Sequence, residues 1–282
     1  MNDKRVRDLV AFMRERHKIY LLKENGKKPP WTKDPILQQY RFCNVYRELD
    51  SVTRWIAENW RHPNKDNKDL WFAMVVARLI NLPDSLSEIP FPVPWRPEKF
   101  LAPLRRRESD KLNVFNAAYI VSTNGRKMDK LSYLVYEVLD PLWEYAAEVR
   151  PKQDEHLRIF CERLTKYQGL GTFMAGQIIA DMKYAPVLRR APDWFTFTVD
   201  GPGSRRGMNR ILDRPVNSPF KKGEWNWWME RLHVRVSVLT AMSSMPPLDA
   251  QDLQNCLCEF DKYERVRLGE GRPKQKYKGA GK

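Results

Sequence analysis

A carboxylate, Asp200, stands directly before Gly201-Pro202-Gly203-Ser204-Arg205-Arg206-Gly207. An earlier turn, Tyr167-Gln168-Gly169-Leu170-Gly171, runs into the segment Thr172-Phe173-Met174-Ala175-Gly176-Gln177. These residue types suit work on a phosphate polymer. Without a Cβ, Gly169 and Gly171 let backbone N–H groups face a phosphate oxygen closely. A helix opening near Thr172 or Phe173 adds its positive dipole end; the plain alternative is an ordinary helix–helix turn. Asp200 ends the apolar stretch Phe195-Thr196-Phe197-Thr198-Val199, so it should face whatever the next loop encloses. There it can accept a proton from a nucleophile or stabilise positive charge at a reacting carbon. Its structural alternative is an Asx-turn or a helix N-cap. The loop 203–207, with Asn209 and Arg210 behind it, carries more guanidinium forks than one backbone phosphate needs and suits a pyrophosphate. Read plainly, it is a solvated charge run.

A second polar cluster lies earlier. Asn44, Arg47, Glu48, Asp50 and Arg54 fall within a predicted helix, with Arg47, Asp50 and Arg54 on one face. Val45, Leu49, Val52 and Ile56 anchor the opposite side, so the polar face lines a cleft or forms a solvated ladder. Near the chain end, Cys258-Glu259-Phe260-Asp261-Lys262-Tyr263-Glu264-Arg265 either closes over a ligand or fringes a surface helix.

Helical periodicity predicts the elements that must position these groups. Val6, Leu9, Val10 and Met13 form the stripe of a first helix, which Pro29-Pro30-Trp31 breaks. Further helices are expected over 34–60, 68–81, 114–122, 130–147, 155–166, 173–182, 224–242 and 250–263, the last with Asp249 as its cap. Four prolines between Ile89 and Pro97 forbid a helix there. Residues 194–198 read as a short strand or extended loop. The organisation expected is an N-terminal helix over 1–33, a helical catalytic domain over 34–263 and a basic tail over 264–282, either a nucleic-acid arm or a plain solubilising end.

Composition narrows the classes. The chain of 282 residues is long enough to bury a real core, and its 50 Lys+Arg against 35 Asp+Glu give a net charge of +15, pointing to a polyanionic partner. Ten tryptophans among the basic residues suit stacking on bases as well as core filling. The four cysteines and four histidines lack zinc spacing, so reduced thiols and no structural metal are expected. No apolar run is long enough for a membrane span, and the charged N-terminus is no signal peptide.

The segments Arg41-Phe42-Cys43-Asn44-Val45-Tyr46-Arg47-Glu48-Leu49-Asp50, Phe173-Met174-Ala175-Gly176-Gln177, Asp193-Trp194, 201–207 and Phe260-Asp261-Lys262-Tyr263 together resemble the bacteriophage alpha-glutamyl/putrescinyl-thymine pyrophosphorylase family, also called amino acid:DNA transferases. A similar helical module accompanies phage 5-hydroxymethyluracil DNA kinases. The resemblance spans about residues 34 to 277 and implies an all-α, helix-hairpin-helix DNA-glycosylase-like fold. It implies that an amine, from a free amino acid or a polyamine, displaces pyrophosphate from 5-(pyrophosphoryloxymethyl)uracil in phage DNA, giving hypermodified thymine in the cytoplasm of the infected host. No Gly-x-x-x-x-Gly-Lys-Ser/Thr is present, so phosphoryl transfer is not expected. Bifunctional glycosylases carry a lysine about where Phe173 stands, so Schiff-base chemistry is not expected either.

On this reading Asp200, with Asp193 or Asp181 as companion, is catalytic. Gly169 and Gly171 meet the DNA backbone, and Gly203, Ser204, Arg205, Arg206, Gly207 and Arg210 hold the leaving pyrophosphate, with a divalent cation as a conceivable aid. Asn44, Arg47, Glu48, Arg54, Gln177 and Lys262 line the substrate pocket. The DNA is double-stranded or locally opened, and a separate hydroxymethyluracil DNA kinase is an expected partner. Two rival readings remain: a monofunctional glycosylase, and a non-catalytic DNA-binding partner of such a kinase.

Overall fold

The computed structural model describes residues 1–116, 122–243, 245–273 and 276. Every regular element among them is helical, as the periodicity predicts, apart from one isolated antiparallel bridge between Tyr40 and Lys276. In chain order the helices are α1 (Asp3–Glu24), α2 (Pro35–Gln39), α3 (Ser51–Ile56), α4 (Leu70–Ile80), α5 (Pro83–Leu86), α6 (Pro97–Ser109), α7 (Lys130–Ser132), α8 (Asp140–Glu144), α9 (Ala146–Val149), α10 (Leu157–Leu164), α11 (Thr172–Met182), α12 (Pro202–Ile211), α13 (Glu224–Ala241) and α14 (Ala250–Arg267). A 3-10 turn covers Arg47–Leu49. π-helical stretches extend α3 over Ala57–Arg61 and join α7 to α8 over Tyr133–Leu139. The chain divides into two compact units: the first holds Met1–Asp50 and Thr198–Lys282, the second Ser51–Phe197.

In the first unit, the predicted stripe of α1 is buried against α13 and α14. Val6, Leu9, Val10 and Met13 join Met229, Leu232, Val236, Leu253, Leu257 and Phe260 in one core. Each such side chain contributes roughly 1.5–3 kcal/mol on leaving water. The helix expected over 1–33 is therefore an integral part of this unit. The Asn2 carboxamide oxygen caps α1 by accepting from the N–H groups of Lys4 and Arg5. Asp249 caps α14 as expected, accepting from the N–H groups of Gln251 and Asp252 at 2.8 and 3.0 Å.

Two sequence expectations change here. Residues 202–211 are a helix rather than a loop. Pro202 occupies its first turn, where the missing N–H costs nothing. The Ser204 hydroxyl accepts from the Gly201 N–H at 3.0 Å, closing the turn. The helix expected over 34–60 is broken. After α2 the chain is irregular through Tyr46, and Asp50 is extended at φ −74°, ψ 137°. Carboxylates take the backbone donors there: Glu259 accepts the Cys43 N–H, Asp50 that of Asn44, and Asp252 that of Arg47. They compete with the carbonyls a helix would have used. The shared helical face expected for Arg47, Asp50 and Arg54 does not form. α14 runs on to Arg267, so the start of the expected tail is helical. Residues 274, 275 and 277–282 of that tail lie outside the described residues.

In the second unit, α4 is buried on all sides and packs on α11, which is buried from Met174 to Met182. The prolines do keep 89–96 irregular, and α6, not anticipated from periodicity, starts at Pro97. Residues 192–196 form turns and no strand. Of the helix expected over 114–122, residues 114–116 are non-helical and 117–121 lie outside the described residues.

Candidate functional site

The candidate catalytic groups fall in different units. Asp200, Gly203, Ser204, Arg205, Arg206, Gly207, Arg210, Asn44, Arg47, Glu48 and Lys262 belong to the first; Gly169, Gly171, Gln177, Asp181, Asp193 and Arg54 belong to the second.

In the first unit, Asp200 sits at the mouth of α12, and its Oδ2 is paired with the Nε of Arg205. Both side chains remain accessible, at 26% for Asp200 and 50% for Arg205. A carboxylate and a guanidinium thus share one accessible spot at a helix N-terminus, where the N–H groups of the first turn have no intrahelical acceptor. Arg206 points elsewhere. Its Nε donates to Asp261 Oδ2 at 3.0 Å and its Nη1 to Asn217 Oδ1 at 3.1 Å. Arg210 is buried, its Nε donating to Asp261 Oδ1 at 2.8 Å and its Nη2 pairing with Glu270. These two arginines tie α12 to α14 and to the segment beyond it, so they do not join Arg205 as a clamp.

The glycines of this helix serve packing rather than a phosphate cradle. A Cβ on Gly203 would lie 2.2 Å from Cys258 Sγ, and one on Gly207 would lie 2.2 Å from the Leu257 carbonyl oxygen. Spaced four apart, they form the flat face that lets α12 approach the backbone of α14. Ser204 is buried, and its hydroxyl is engaged at Gly201 as both acceptor and donor.

Beside α12, α14 carries a polar stripe of which the sequence reading singled out Glu259 and Lys262 but missed Asp252 and Asn255. Asp252, Asn255, Glu259 and Lys262 follow helical spacing and face the irregular segment 41–50. Asn255 Nδ2 donates to the Asn44 carbonyl at 3.3 Å, Glu259 accepts the Cys43 N–H at 2.8 Å, and Lys262 Nζ sits 2.6 Å from Glu259 Oε2. Lys262 also lies over the Phe42 ring at 4.7 Å. Arg16 of α1 donates to Asn44 Oδ1 at 2.6 Å. Gln254 is adjacent to α12, its Nε2 3.9 Å from where a Gly201 Cβ would stand. The signal was legible: Leu253, Cys256, Leu257 and Phe260 alternate with these polar residues at helical period.

Two thiols, Cys43 and Cys258, adjoin the stripe. The Glu259 charge raises the pKa of the Cys43 thiol well above its ordinary value. Burial pushes Cys258 up to about 11. Shifts in this direction disfavour the thiolate, the form that acts as a nucleophile. Burial also raises the Asp50 carboxyl, against the hydrogen bond from the Asn44 N–H.

In the second unit the two proposed companions of Asp200 have structural positions. Asp181 is fully buried, its oxygens gripped by Arg78 Nε at 2.5 Å and Nη2 at 2.6 Å. Arg78 also donates to Asn81 Oδ1 and Thr53 Oγ1. Asp193 caps α10, accepting from the N–H groups of Leu157 at 2.7 Å and Arg158 at 3.1 Å. Both carboxylates are thus engaged by donors of the second unit, Asp181 by a buried guanidinium and Asp193 by a helix end, whereas Asp200 belongs to the first unit. A turn connects α10 to α11. Gly169 adopts φ +79°, and its missing Cβ leaves room for Val138, which would otherwise be 2.8 Å away. Above Gly171 nothing lies within 4 Å of a Cβ position. Gln177 is buried on α11, and Arg54 is half-buried on α3.

Among the described residues no group of three or more His, Cys, Asp or Glu could hold a metal ion, and no helix is long and apolar enough to cross a membrane.

Comparison with known proteins bears on what this arrangement serves. Residues 3–272 match the family model described as 5-hmdU DNA kinase, helical domain. The chain is 25% identical over 270 residues to the 5-hmdU DNA kinase of Bacillus phage SP10, covering 84% of this chain and 41% of that protein. The chain thus spans less than half the length of this curated relative. No solved structure matches it.

Proposed function

The chain belongs to the family of 5-hmdU DNA kinase helical domains, and from that premise we propose that it is a transferase acting on modified thymine positions in phage DNA. On this reading, DNA carrying 5-(pyrophosphoryloxymethyl)uracil presents an extruded base, at a cost of roughly a few kcal/mol offset by phosphate contacts and stacking. The C–O bond to pyrophosphate breaks and pyrophosphate leaves with the electron pair. The resulting cation is allylic and conjugated with the uracil ring. The amine of a free amino acid or polyamine forms the new C–N bond at the methylene carbon and loses a proton.

The observation that carries the proposal is the Asp200–Arg205 pair at the mouth of α12. A guanidinium and a helix N-terminus together favour a pyrophosphate anion. The adjacent carboxylate can stabilise the cation or take the ammonium proton. The α14 stripe, with Lys262, Asn255 and the neighbouring Asn44, supplies hydrogen-bonding groups for the amine donor or base edge. A divalent ion would enter with the pyrophosphate. On this reading the all-helical chain is helix-hairpin-helix and glycosylase-like, and α10, the Gly169-Leu170-Gly171 turn and α11 would be the hairpin pair.

A second reading has its own support. The SP10 relative is named a kinase, and this chain corresponds to 41% of it. As a helical module it would hold DNA for a separate hydroxymethyluracil DNA kinase without itself reacting. Pyrophosphate release separates the two. Asp200→Asn and Arg205→Ala should each cut amine-dependent release by about 10²-fold or more while DNA binding persists. No amine-dependent release by the parent protein, with DNA binding intact, would favour the module reading; release unchanged in both variants would remove Asp200 and Arg205 from the chemistry.

A further inference from the structure

In the second unit, two turns distant in sequence share one polar hub. Asn124 and Gly125 adopt left-handed φ values of 50° and 79°, and the Arg126 N–H donates to the Thr123 carbonyl at 3.0 Å. Asn124 Nδ2 donates to the Tyr133 hydroxyl at 2.8 Å. Gln168, in the turn before α11, donates to the same hydroxyl at 3.4 Å. Both turns also meet on one carboxylate oxygen: Glu137 Oε2 lies 3.3 Å from Arg126 Nη2 and 3.5 Å from Gln168 Nε2. The Tyr133 side chain is fully buried, so the hub is anchored in the core.

What this hub presents to solvent is cationic and aromatic. Arg126, Lys127 and, on the α10 side of the second turn, Lys166 are exposed. Tyr136, which precedes Glu137, is 55% exposed, and Phe173, just beyond Gly171, is 47% exposed. Nothing stands within 4 Å of a Cβ position on Gly125 or Gly171, so a ligand backbone can come close at both turns. Exposed cations interleaved with aromatics, on a chain of net charge +15, complement a nucleic-acid backbone.

We propose that the turn 122–127 is a second grip on the DNA backbone, locked to the Gly169-Leu170-Gly171 turn through Tyr133 and Glu137, and that Arg126 exchanges Glu137 for a DNA phosphate on binding. The proposal rests on the reading that DNA is the substrate. Glu137 holds the Arg126 fork in place when no DNA is bound, and its negative charge opposes the incoming phosphate.

The experiment measures binding of the whole chain to a labelled, unmodified DNA duplex across a salt series. Replacing Arg126 and Lys127 together by Ala should lower the slope of log affinity against log salt by ~2, one per phosphate contact. Glu137→Gln should tighten binding several-fold at low salt, a gain that misfolding does not produce. An unchanged slope in the double variant, or Glu137→Gln binding equal to or weaker than the parent, would overturn the grip; it would point instead to a protein partner for this face. Absence of pyrophosphate release by the parent protein would sink the transferase reading while leaving these slopes as predicted.

Discussion

Asp200 was visible in the sequence because a lone acid between an apolar stretch and a run of glycine and arginine has few reasons to be there. Its neighbours were harder to read. Arg205, Arg206 and Arg210 look equivalent on paper, but successive residues of a helix point about 100° apart, so only Arg205 meets Asp200. Asp181 and Asp193 are indistinguishable from catalytic acids until their partners are known, since long-range pairing leaves no local trace. Breaking the buried Arg78–Asp181 pair should show what it does: Arg78→Ala should lose about 3–5 kcal/mol of stability in urea unfolding. A loss near zero would return Asp181 to the list of candidate acids.

Asp50 gives a pH-dependent prediction at the same scale. Burial raises its carboxyl pKa in the folded state, so the folded protein binds this proton more tightly than the unfolded chain. Ionised Asp50 therefore costs stability at neutral pH, and the cost disappears as pH falls and the group protonates. Asp50→Asn keeps an acceptor for the Asn44 N–H. It should raise the melting temperature at pH 7 and match the parent in mild acid. A variant less stable at pH 7 would contradict the sign.

Among the elements, α1, α4, α11 and α14 were legible from their apolar periods, while α12 was not. Gly-Pro-Gly reads as loop, yet Pro202 starts a helix and the glycines that depress its propensity are the ones that let it pack. Gly207→Ala would drive a Cβ into the Leu257 carbonyl, 2.2 Å away, and should cost ~1–3 kcal/mol with no side-chain rescue. Gly203→Ala collides instead with the Cys258 side chain. Adding Cys258→Ala removes the sulfur and should recover part of the loss. Equal behaviour of the two sites in thermal unfolding would contradict a packing role for these glycines. The broken helix over 34–60 failed for a different reason. Its period was correct, but Asp50, Asp252 and Glu259 capture the backbone donors, and two of those acids lie some two hundred positions further along.

For the whole molecule, the second unit is inserted between the two halves of the first, so the chain passes from one to the other after Asp50 and again after Phe197. That division follows from long-range packing and has no compositional mark, so it is not legible along the chain. The family relation extends over 3–272 and therefore takes in both units. This is why the proposed chemistry, centred on Asp200, is assigned to the intact chain. The measurement that tests it most directly is mass spectrometry of nucleosides after the protein has been incubated with DNA bearing 5-(pyrophosphoryloxymethyl)uracil and a mixture of amino acids and polyamines. The account predicts an intact strand, released pyrophosphate and a thymidine heavier by one amine substituent; an abasic site, or a starting nucleoside recovered unaltered, would contradict it.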